Sequence, residues 1–92
     1  MNSIPVTYIV DFDRCVSKEL ASIPAETTQK ILVKIKSLEK GPHPRGCKKI
    51  SGSQNMFRLR QGQYRIIYLV DTEHKIISIV SVAHRRNAYR NI

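Results

Sequence analysis

Four arginines, Arg58, Arg60, Arg65 and Arg85, stand where a small sheet would gather them. Arg58 and Arg60 alternate with Phe57 and Leu59, so in a strand the two guanidiniums share one face and the apolar pair takes the other. Gln61-Gly62-Gln63 has the composition of a tight hairpin connection, which sets Arg65 on the neighbouring strand beside them. Arg85 leaves the end of the last apolar run, next to that pair. Guanidinium is the cation that grips phosphate in a planar fork. Several on one face repel one another unless an anion lies between them. Two titratable side chains follow closely. One is His84, of a residue type whose reference pKa near 6.5 suits acid–base work. Tyr89 sits near 10 in its reference state, and surrounding cations favour its phenolate. Taken singly, each arginine also reads as a solvated charge whose stem covers apolar surface. His84 also reads as a strand end, and Tyr89 as packing for a terminal turn. The set reads differently from its members, because its neighbourhood holds few acids.

Residues 45–92 carry ten Lys and Arg, seven of them Arg, against two acids (Asp71 and Glu73), a formal +8. Residues 1–44 carry six basic residues against five acids, a formal +1. Nearly all of the net +9 therefore lies on the half that also reads as sheet. Such a field draws a polyanion, and nucleic acid is the first candidate.

Those residues need a scaffold. The β-branched and aromatic stretch 7–12 suits an opening strand. Asp13 is a candidate N-cap for a helix over 14–22, where Val16, Leu20 and Ile23 recur at helical spacing. Pro24-Ala25-Glu26 opens a second helix. Over 27–40, Ile31, Leu32, Ile35 and Leu38 form one stripe, and Gly41-Pro42 stops it. The two segments make a helical hairpin whose apolar stripe must cover a sheet. That sheet follows as a possible edge strand at 48–50 and strands at 56–60, 64–70 and 75–83 joined by short turns, an antiparallel meander. Tyr64 and Tyr68 share a strand face with Ile66 and Val70 and are assigned to the core. The expected fold class is α+β, a helical hairpin packed on a twisted antiparallel sheet in the order β-α-α-β-β-β, with a short C-terminal segment.

At 92 residues, 41% apolar and 25% charged, the chain has the composition of one small globular domain over 1–92. Cys15 and Cys47 have no disulfide-framework spacing and read as reduced thiols of a cytoplasmic protein. No apolar run is long enough to span a bilayer, and the first residues lack the pattern of a signal peptide. His43, Cys47, His74 and His84 have no zinc-site spacing, so no metal is expected. No Gly-rich phosphate loop or Ser-His-Asp signature is present, and no cofactor is expected.

The run Phe57-Arg58-Leu59-Arg60, then Gln63-Tyr64-Arg65-Ile66-Ile67-Tyr68, then Ile79 through Arg90 with His84-Arg85-Arg86 and Tyr89-Arg90, resembles the RelE branch of the RelE/ParE toxin superfamily. The resemblance extends more loosely over the whole chain. It implies a toxin of a type II toxin–antitoxin pair, an endoribonuclease that cuts mRNA in the ribosomal A site without metal. It implies as partners a cognate antitoxin protein, the ribosome and mRNA, and no membrane. By the resemblance the catalytic set is Arg65, Arg85 and Tyr89, with His84 the other candidate for moving a proton. Arg58, Arg60, Arg86, Arg90, Lys48 and Lys49 would hold RNA backbone. The implied reaction is attack by the ribose 2′-OH on the adjacent phosphorus, leaving a 2′,3′-cyclic phosphate and a 5′-hydroxyl. Two alternatives remain open on the same residues: a ParE-like poison of DNA gyrase, and a non-catalytic RNA-binding module.

Overall fold

The computed structural model describes residues 7–84. Its elements are β1 (Ile9–Phe12), α1 (Arg14–Ala21), α2 (Ala25–Ser37) closed by a 3-10 turn (Leu38–Lys40), β2 (Lys48–Lys49), β3 (Met56–Gln61), β4 (Tyr64–Asp71) and β5 (Ile76–His84). The strands form one five-stranded sheet in the order β1-β5-β4-β3-β2. With two helices packed on it, the fold is α+β, and β3, β4 and β5 are the antiparallel meander that hydrophobic alternation predicts. None of the described helices is long and apolar enough to cross a membrane.

One pairing corrects the expected all-antiparallel sheet. β1 runs parallel to β5, Ile9 beside Ile76 and Phe12 beside Ile79, so the sheet is mixed. Alternation reports which face a residue takes but not the direction of its neighbour. The helical hairpin and the meander together return the chain to β1 in the same sense, and that is a property of the whole path.

The helices bury one stripe each. Val16 and Ile23 from the first segment meet Ile31, Ile35 and Leu38 from the second, against Tyr8, Leu59, Ile66, Tyr68, Val70, Ile77, Ile79 and Val82. The expected stripe is trimmed at one position: Leu32 is 40% exposed, because the buried line runs through positions 31, 35 and 38, leaving its neighbour at the rim. Thr28 ties the two helices, its hydroxyl donating to the Leu20 and Ile23 carbonyls (both 3.3 Å). Asp13 does occupy the N-cap of α1, but its side chain makes no capping bond. Its backbone N–H donates instead to the Ile79 carbonyl (2.9 Å) and so carries β1's pairing one residue further.

β5 contains a bulge. Ile67 pairs with Ser81 and Tyr68 with Ile79, which leaves Val80 as the extra residue. The inward-facing positions therefore change parity: Ile77 and Ile79 are buried before the bulge and Val82 after it. The strand's outer edge has no strand neighbour there, since β1 ends beside Ile79. α1 covers that edge with two side chains one turn apart. Cys15 Sγ donates to the Val80 carbonyl (3.4 Å). The Glu19 carboxylate accepts from the Val82 N–H (2.8 Å) and the Ser81 hydroxyl (3.0 Å).

Candidate functional site

The β3–β4 hairpin turns on Gly62 and Gln63, with Gln61 paired to Tyr64. Gly62 adopts φ +61°, the left-handed conformation that a two-residue connection of this hand requires. The consequence is direct: Arg60 lies opposite Arg65 in the ladder. One step along, β2 pairs Lys48 with Arg58. Leu59 is buried in the core and Phe57 packs against it, so alternation turns Arg58 and Arg60 to the sheet face away from the helices.

Lys48, Arg58, Arg60 and Arg65, with Gly46, line one concavity of about 280 Å³. Among the described residues its wall holds four cations and no carboxylate. Like charges set directly opposite in a ladder oppose folding, and here two such pairs adjoin. Arg58 and Arg65 are half-buried and Arg60 is exposed, so the charges stand partly withdrawn from water. A phosphodiester lying in the concavity would accept from these donors and relieve their mutual repulsion. Ile67, opposite Arg58 in the ladder, is fully buried.

The wall formed by Gly46 belongs to a loop held from the core side of the sheet. The Tyr68 hydroxyl donates to the Pro42 carbonyl (2.7 Å). The Phe57 ring stacks on Tyr68, and the His43 ring meets Phe57 edge-on at 4.7 Å. Burial, aided by the Cys47 side chain, pushes the Tyr68 hydroxyl far above its ordinary value, so it stays a donor. Gly46, at φ +94°, turns the chain from this loop toward Lys48. Sequence reasoning did not single out this loop's contacts or Gly46. The two prolines and two glycines between 41 and 46 were the available signal.

The other candidate residues divide. Lys49 pairs with Phe57 and so projects from the helix-facing side, away from Lys48. His84 pairs with Tyr64, and their rings meet edge-on at 5.4 Å. Tyr64 packs against the core, so His84 stands on the sheet side opposite Arg65, whose ladder partner is Ala83. Arg85, Arg86, Tyr89 and Arg90 lie outside the described residues. A hydrogen bond between the Asp71 carboxylate and the His74 ring (2.9 Å) occupies the β4–β5 turn, at the far end of β4 from the concavity. The His74 backbone N–H and ring hold the Asp71 carboxyl below its usual range.

Comparison with known proteins yields consistent matches. The sequence profile of the family described as ParE toxin of type II toxin–antitoxin system, parDE, matches residues 10–89. The RelE1 protein of Methanocaldococcus jannaschii is 31% identical over 85 residues, covering 89% of this chain and 94% of that one. Among solved structures, the archaeal RelE–RelB complex of Pyrococcus horikoshii OT3 superposes with a TM-score of 0.78 at 33% identity, over 89% of this chain and 99% of that one. The toxin–antitoxin complex RelBE2 of Mycobacterium tuberculosis gives 0.77 at 27% identity, over 91% and 98%.

Proposed function

Because the chain belongs to the RelE/ParE superfamily of type II toxin–antitoxin toxins, on its RelE branch, we propose that it is an endoribonuclease that cuts mRNA in the ribosomal A site. The observation that carries this reading is the concavity of four cations with no carboxylate in its described wall. It suits a phosphodiester backbone, and the ribosome would hold the message in line for attack. In the proposed reaction the 2′-oxygen forms a bond to phosphorus while the bond from phosphorus to the 5′-oxygen breaks. The 2′ proton leaves to a base and the 5′-oxygen takes one up. Arg65 and Arg85 stabilise the charge that develops on the phosphorane, where preorganised cations contribute most. Lys48, Arg58 and Arg60 grip the backbone on either side. Tyr89 is the proposed acceptor of the 2′ proton. The pairing of His84 with Tyr64, on the other side of the sheet from Arg65, weighs against His84 in that role.

The proposed partner is a cognate antitoxin, as in the solved complexes from Pyrococcus horikoshii OT3 and Mycobacterium tuberculosis. An acidic, partly disordered segment that folds on binding would complement a +9 chain. The deciding experiment is in vitro translation with mapped mRNA ends. Cuts in the A site uphold the proposal. Gyrase-linked DNA breaks would replace it with the ParE-like reading, and RNA binding without cleavage would replace it with a binding module.

A further inference from the structure

The bulge in β5 decides which residues at the strand's end face the concavity, and a helix on the other side of the sheet holds it. Without the bulge at Val80, the parity of Ile77 and Ile79 would continue through Ser81 and Ala83. Ala83 would then turn toward the helices, and His84 toward the arginines. With it, Val82 is buried, His84 lies against Tyr64, and Ala83 stands beside Arg65 on the cationic face. The Val82 N–H lies on the outer edge of β5, beyond the end of β1. The Glu19 carboxylate takes that N–H (2.8 Å) and the Ser81 hydroxyl (3.0 Å) across more than sixty residues of sequence. Cys15, one turn earlier on α1, binds the Val80 carbonyl (3.4 Å). Among these contacts only Glu19 brings a charged acceptor, and charge-assisted bonds are the stronger kind. Bulges beside functional sites commonly re-aim side chains.

We propose that Glu19 is a positioning residue for the cationic concavity: its carboxylate clamps the β5 bulge and so sets which sheet face each residue from Ser81 to His84 presents. The inference rests on the proposed ribonuclease reading for its effect on cleavage, and on the geometry alone for its effect on the strand. Glu19 contacts Ser81 and Val82 on β5, so its influence passes through β5 to β4. Gln at this position keeps an oxygen for the Val82 N–H and an amide that can donate to Ser81, which swaps its role from donor to acceptor. Ala keeps neither.

The test compares the unaltered chain with Glu19→Gln, Glu19→Ala and Ser81→Ala. Each is first checked by circular dichroism to be folded at the assay temperature. In Glu19→Ala the Val82 amide should exchange with solvent at least about tenfold faster, and the His84 ring resonances should lose the shift imposed by Tyr64. Its kcat on ribosome-bound message should fall on the order of tenfold with KM nearly unchanged, because orientation is disturbed while the backbone-gripping cations remain. Glu19→Gln should restore both the exchange rate and kcat. Ser81→Ala, which leaves the Val82 bond in place, should move the same readouts less and serves if Glu19→Ala does not fold. A Glu19→Ala chain with unchanged Val82 exchange and His84 shifts overturns the clamp. Released exchange with parental kcat overturns the positioning role. If the unaltered chain cuts nothing, the ribonuclease reading fails, while exchange and ring shifts still decide the clamp.

Discussion

At the scale of single residues, the arginines of the concavity are the first to examine. Arg60 and Arg65 face each other across the ladder, so neither gains stability from the other. Replacing Arg65 by Ala removes a donor from the proposed transition state and one partner of a repulsive pair. Single-turnover cleavage should fall at least ~10²-fold, the scale of losing one preorganised oxyanion donor. Arg85→Ala should lose cleavage on the same scale. Parental rates in both variants would remove these residues from the active site.

Tyr68 carries the opposite kind of prediction, a structural one with a pH signature. Its hydroxyl is pushed well above the ordinary tyrosine value by burial, with Cys47 adding to the effect. In the unfolded chain it titrates near 10. The raised folded value means that this contribution to stability is intact below pH about 10 and is lost as pH rises from there toward the folded value. Alkaline unfolding followed by circular dichroism should therefore steepen above pH about 10. Tyr68→Phe should flatten that dependence. At neutral pH the same variant should cost about 1–3 kcal/mol, because the Pro42 carbonyl loses its donor. An alkaline profile identical in the two chains would contradict this account.

Elements matter through how they aim these residues. The β3–β4 hairpin depends on Gly62 at φ +61°, where no neighbouring atom lies within 4 Å of a modest side chain's first carbon. The constraint there is conformational and not steric crowding. Gly62→Val should cost at least about 1 kcal/mol, measured by urea unfolding, since a β-branched residue resists the left-handed region. Because the turn sets the Arg60–Arg65 pairing, cleavage measured where both chains are fully folded should fall further than the stability loss explains. Gly62→Asn, which tolerates that conformation better, should recover most of both. Equal losses in the two variants would point to another cause.

For the molecule as a whole, charge is the governing quantity. The formal +9 is concentrated on one half of the chain, and four cations of that half share one concavity. Binding to single-stranded RNA should therefore fall steeply with salt. With about four phosphate contacts, a fourfold rise in salt should weaken affinity on the order of 50-fold. Lys48→Ala should flatten that slope by nearly one contact, whereas Lys49→Ala, on the other side of β2, should change it less. Identical slopes for the two lysine variants would contradict the placement of Lys48 in the wall.

Much of this arrangement could be read from residue types alone, because its causes are local. Alternation in 56–60 set Phe57 and Leu59 on one face and Arg58 and Arg60 on the other, since a strand's side chains have period two. Gly62 marked the hairpin that brings Arg65 close to Arg58 and Arg60; the direct pairing of Arg60 with Arg65 follows from the two-residue connection Gly62-Gln63 that the structure shows. The helical stripes followed from spacing, apart from Leu32 at the rim. Three features depended on the folded chain. Periodicity carries no strand direction, so the parallel β1–β5 pair emerged only when the whole path closed. The phase of β5 changes at Val80, and no pattern in Ile79-Val80-Ser81-Val82 distinguishes a bulge from a regular strand; His84 thus went to the Tyr64 side of the sheet. Glu19 finds its partners at Ser81 and Val82, a contact between distant segments that no spacing rule encodes. Local sequence chose the faces and turns, and tertiary packing chose how strand ends meet, because those choices are settled by groups that are neighbours only in space.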